Sequence, residues 1–252
     1  MAKRERTISE MAAVRDDVRN RTREAIEAIL ALVWEYRASD FTFASQPDID
    51  ARVNRILQEL SDGNLSDAEK RAKRLLEQLD LEDWEDGSLE YGERKIDGEN
   101  ALWRLDLHAS HLKELLEGWL AVAAMYGWSK AKTVQNVWAY LSDPSALKEW
   151  RESGRGKPRW GRGYSRNVVS GMTVVSQDLI ATVGAYAGYM RAVQSGAAYF
   201  IRHRNSGYQC PECDSYCEKK IPISEIIFQT HPRCVCYNEY FTADGQKIDI
   251  GA

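Results

Sequence analysis

The sequence predicts a mainly α-helical protein: a bundle-like helical body with one long small-residue helix, closed by a C-terminal β-hairpin knuckle. Three observations lead there. Apolar residues recur at helical spacing through most of the first two hundred positions. One segment, Ser165 to Gln194, is apolar and rich in Gly and Ala without a proline. All 5 cysteines of the 252-residue chain lie between Cys210 and Cys236, where short β-like runs replace the helical pattern.

Helix by helix, the pattern reads as follows. Thr7 and Glu10 have the spacing of a capping box, and Met11, Val14, Val18, Ala25, Ile29, Leu32 and Val33 follow on one face. Pro47 opens a second helix with Ile49, Val53, Ile56, Leu57 and Leu60 as its stripe, and Gly63 is expected to end it. Ser66 and Glu69 then cap a third, carrying Leu75, Leu76 and Leu79. Plain amphipathic packing accounts for these stripes. Residues 1–80 therefore form an N-terminal helical region, and 81–98, dense in Asp and Glu, an acidic linker. That linker lacks the D-x-[DN]-x-[DN]-G order of a calcium loop, so a solvated acidic segment is expected.

Residues 99–198 form a second helical region. Leu102, Leu105, Leu112, Leu115, Leu116, Leu120 and Val122 mark one helix, and Ser129 to Leu141 a shorter one stopped by Asp143-Pro144. His108 and His111 stand three apart, but no H-E-x-x-H surrounds them, so they read as ordinary helix-surface residues. Trp119, Trp128, Trp138 and Trp150 read as core or interface anchors. In the long helix, Gly171, Gly184 and Gly188 each cost about 1 kcal/mol of helix propensity, which close helix–helix approach would offset. Ala197 to Ile201 then reads as a strand.

Charge divides the chain in a way its net −4 conceals. Residues 1–150 carry 21 Lys and Arg against 29 Asp and Glu, and residues 151–252 carry 13 against 9. The basic excess is concentrated in the Gly/Arg loop 151–166, where Arg155, Lys157, Arg159 and Arg162 are suited to phosphates or an acidic protein face. No apolar signal region follows the basic N-terminus, and Val168 to Ala198 is interrupted by Gln177, Asp178, Arg191 and Gln194, so an intracellular protein with no membrane span is expected.

The cysteines carry the chemical information. An odd, clustered set is no disulfide framework; it reads as one local site in a reducing compartment. Cys210-x-x-Cys213 and His231-x-x-Cys234 are two ligand pairs of equal spacing, in residues 199–252, a β-rich C-terminal element. Joined across a β-like excursion they give a Cys₃His site, the tetrahedral donor set of structural Zn²⁺. Cys236 is taken as an alternative to Cys234 for the fourth place rather than as its companion. Cys217 is left as a small buried residue, and reduced core cysteines without metal are the plainer alternative. Four protein ligands leave no open position, which points to a structural ion.

The run from Ser206 to Tyr237, with Cys210-Pro-Glu-Cys213 and His231-Pro-Arg-Cys234-Val-Cys236, resembles the C-terminal end of phage minor head proteins of the Mu F type. The long helix from Ser165 supports the resemblance, which covers roughly the second half of the chain. Val235 stands where that family often has Arg, and no toxin or nuclease module of the kind some members carry is expected after Cys236. The resemblance implies a non-enzymatic component of a phage or prophage head, assembled in the host cytoplasm and retained in the virion at or near the portal vertex. It implies the portal protein and other head proteins as partners, several copies per particle, and packaged double-stranded DNA as a further partner, with Arg155, Lys157, Arg159 and Arg162 as the contacts to DNA or to the portal protein. The residues leave two further readings: an intracellular zinc-ribbon nucleic-acid-binding protein, and a metal-dependent nuclease. The second lacks a catalytic His paired with a second metal site, and no Ser-His-Asp set or P-loop is present.

Overall fold

The computed structural model describes residues 3–77, 99–142, 167–205, 211–225, 234 and 236–250. Five long helices make the body: α1 (Lys3–Val33), α2 (Pro47–Glu77), α3 (Ala101–Tyr126), α4 (Lys130–Ser142) and α5 (Val168–Gln194). A small antiparallel sheet follows, with a one-turn helix, α6 (Pro211–Asp214), between its first two strands.

The helices start and stop where local chemistry allows. Pro47 is the first residue of α2, where its missing N–H is no loss, and Asp48 and Asp50 complement the positive helix end. Asn100 caps α3 by accepting from the Trp103 amide at 2.8 Å, and Gly127 closes it in the left-handed conformation, φ 61°. Asn167 caps α5 by accepting from the Ser170 amide at 2.9 Å. Asn167 also donates to the carbonyl of Leu141, tying the start of α5 to the end of α4.

Two expectations about helix ends are corrected. The helix runs through Gly63 and Ser66 without a break, so α2 is one element to Glu77. Gly63 instead lies beneath the guanidinium of Arg21, which reaches over it from α1 to Asp67 at 2.8 Å. Thr7 and Glu10 likewise lie inside α1. Glu10 receives Arg71 of α2 at 2.7 Å, and Thr7 packs on Gly184 of α5. In each case a residue type common at helix ends is used for a contact between helices.

One hydrophobic core joins these five helices, so the described parts of the two helical regions pack on the same apolar interior. α1 supplies Val14, Val18, Ile26, Ile29, Leu30 and Val33, and α3 supplies Leu105, Leu112, Leu116 and Leu120. α5 packs against α1, α2 and α3, and most of it is buried; it alone among the described helices has the length and apolarity to cross a membrane. Its glycines permit this packing. A Cβ on Gly171 would sit 2.1 Å from the imidazole of His108, a distance no real contact reaches, so α3 and α5 meet only because that atom is missing.

The core also holds a polar layer. Arg104 donates to Asp178 at 2.7 Å, with both side chains almost fully buried. His108 and His111, expected on the helix surface, are buried beside it. Burial first, then the nearby Arg104 and His111, pushes His108 down to about 3, so it is neutral at pH 7. Burial also lowers His111, against the opposing pull of Glu114.

The sheet is larger than the expected hairpin. Its strands are β1 (Tyr199–His203), β2 (Lys220–Pro222), β3 (Tyr237–Phe241) and β4 (Lys247–Ile248), in the order β2-β1-β3-β4. All neighbours are antiparallel, and Phe200 faces Ile221 on one side and Tyr240 on the other. These three side chains and Ala192 of α5 form a second, much smaller core.

Candidate metal centre

β1 organises the site. Its burial alternates, so Phe200 and Arg202 share the buried face. Phe200 fills the small core, and Arg202, two residues on, reaches the cysteines. α6 presents Cys213 at the end of a single turn, where the amides of Tyr216 and Cys217 both donate to the Cys213 carbonyl. From the other side, Cys234 and Cys236 arrive just before β3 begins at Tyr237.

The sulfurs of Cys213, Cys234 and Cys236 all lie within 4.8 Å of one another. Cys213 and Cys234 are buried, with their sulfurs 3.7 Å apart, while Cys236 is half-buried. Two bonds of about 2.3 Å meeting at a tetrahedral angle place thiolates about 3.8 Å apart, so this pair has the separation that a shared zinc ion demands. The three thiols fit a thiophilic metal ion.

Cys236 is the companion of Cys234 in the cluster, not an alternative to it: two residues apart is the interval at which extended backbone puts side chains on one face, and both sulfurs meet Cys213. Cys217 packs against Cys236 on the more open side of the cluster, half-buried where a buried position was expected. Burial raises its thiol, Cys236 adds to this, and the positive Arg202 and Arg204 act in the opposite direction. Of the other expected site residues, Cys210 and His231 lie outside the described residues, as do Arg155, Lys157, Arg159, Arg162 and the acidic stretch 81–98.

The sequence reading passed over Arg202. Arg202 is 2% exposed. It donates to Cys234 Sγ at 3.2 Å and to Asn238 Oδ1 at 3.1 Å, so one side chain bonds both the thiol cluster and the adjoining strand. The signal was present: in Tyr199-Phe-Ile-Arg-His an arginine falls on the same face as the phenylalanine. On the opposite face His203 lies between Glu218, 3.0 Å away, and Glu239, 3.3 Å away. Tyr199 stacks on Phe241 with ring centroids 5.3 Å apart.

No family model, curated protein or solved structure matches this chain.

Proposed function

We propose that this chain is a structural component of a phage or prophage head, acting at or near the portal vertex, with a C-terminal sheet stapled by one structural zinc ion. The observation that carries the reading is the meeting of Cys213, Cys234 and Cys236 at the edge of a small sheet, directly after a long helix buried in a helical body. Three thiols with the spacing of metal ligands supply a donor set, and Cys210 and His231, adjacent in sequence to these segments, are the candidates for the fourth place. A fully protein-ligated ion has no position for substrate water, so its role is to hold the element together, not to perform catalysis. The helical body supplies broad rigid faces for neighbouring head proteins. Arg155, Lys157, Arg159 and Arg162 supply the positive charge for portal protein or DNA.

The test is association. The chain should co-purify with the portal protein of its own particle and be present in purified virions, and replacing those four basic residues by Ala should weaken the complex. Absence from virions together with indifference to portal protein overturns the head-assembly reading. Salt-dependent DNA binding without portal binding would favour the zinc-ribbon alternative.

A further inference from the structure

Resting on the metal reading above, we infer that Arg202 is the outer-shell cation of the thiol centre: it holds the Cys234 sulfur in position and sets how tightly the metal is kept. Arg202 comes from the middle strand of the sheet, between β2 and β3, and its backbone is fixed by pairing with Asn238. Its side chain is anchored a second time by the bond to Asn238 Oδ1 at 3.1 Å. The remaining arm of the fork is thereby aimed at Cys234 Sγ at 3.2 Å. A charged N–H donor at this distance orients the sulfur and bonds more strongly to a metal-held sulfur than a neutral donor would.

The charge of the filled site gives the same assignment. A divalent ion held by the three thiolates of Cys213, Cys234 and Cys236 carries one net negative charge, and a neutral fourth ligand leaves that charge in place. A buried guanidinium in contact with one of the sulfurs neutralises it. Outer-shell partners of this kind typically change metal affinity by about 10- to 100-fold when removed. A lysine keeps the charge but lacks the planar fork, so it cannot hold Asn238 and Cys234 together.

The experiment uses the full chain loaded with Co²⁺ or Zn²⁺, as wild type, Arg202→Gln, Arg202→Lys and Cys213→Ser. Affinity is read by competition with a chromophoric chelator, and the ligand field by the sulfur-to-cobalt charge-transfer band. Wild type should bind one ion. Arg202→Gln should bind the same number about 10- to 100-fold more weakly, with a shifted charge-transfer band. Arg202→Lys should fall between the two, and this intermediate value separates a charge effect from a simple loss of packing. Cys213→Ser should lose the band. Wild-type affinity and spectrum in Arg202→Gln overturn the inference while leaving the metal reading intact. Equal weakening in the Lys and Gln variants overturns it as well, since the cation would then be irrelevant. A wild-type chain that takes up no metal overturns the metal reading, and this inference with it.

Discussion

Along α3 alone, Leu105, Leu112, Leu116 and Leu120 are buried to completion, whereas the entire four-stranded sheet centres on Ala192, Phe200, Ile221 and Tyr240. The body tolerates a charged layer inside it: Arg104 and Asp178 are desolvated together as a hydrogen-bonded pair within a body that has a large apolar core. The sheet has no such reserve, and beside its small core stand the thiols and a buried arginine. A region too small to bury enough apolar surface needs a cross-link of another kind, and here the side chains placed together are metal donors.

This contrast predicts separable failures. If the thiols hold structural zinc as proposed, stripping it should have the largest effect, because such an ion in a small element contributes on the order of 10 kcal/mol. Chelation should abolish the near-UV signal of the sheet tyrosines and leave the far-UV helical signal in place; joint loss of both would break the division. Asp178→Ala should come next, at about 3–5 kcal/mol, because it strands the Arg104 charge in the core. Denaturant titration followed by helical circular dichroism measures it, and metal content should not change.

Acid should weaken the body by a third route. The unfolded chain protonates His108 below about pH 6.5, whereas the folded chain does so only near 3. This contribution to stability is therefore complete above pH 6.5 and is lost as pH falls, by at most about 1.4 kcal/mol per pH unit. His111, also lowered, adds in the same direction. A His108→Leu variant should show a shallower decline between pH 6.5 and 4.5.

Gly171→Ala should destabilise by about 1–3 kcal/mol, since overpacking against the His108 ring outweighs the roughly 1 kcal/mol that alanine gains in helix propensity. A rise in melting temperature would show that α3 and α5 can part without loss. The smallest effect belongs to Arg23→Ala, which removes an exposed pair with Glu27 at 3.0 Å and should cost no more than about 0.5 kcal/mol.

Much of the body was legible before folding. The stripes Val14–Val18 and Ile49–Val53–Leu57–Leu60 define faces that are buried, and the glycines at 171 and 184 mark close contacts between helices. The errors share one cause. Thr7, Glu10, Gly63 and His108 carry strong local preferences, for caps or for the surface, and each instead meets a residue far away in sequence, while His111 is buried. Arg104, His108 and Asp178 are buried although their polarity favours the surface. Only partners on a facing helix make such burial tolerable.

For the centre, the amino-acid sequence by itself determined the donor types and their local spacing, because a C-x-x-C or C-x-C interval is a property of the chain. It also determined that Phe200 and Arg202 share a face, since the strand period is two. Tertiary structure alone decided that Cys234 and Cys236 meet Cys213, which lies 21 residues before Cys234 along the chain. It alone placed the Arg202 guanidinium against Cys234, 32 residues away along the chain. Spacing is set by covalent geometry, whereas charge placement depends on which strands pair.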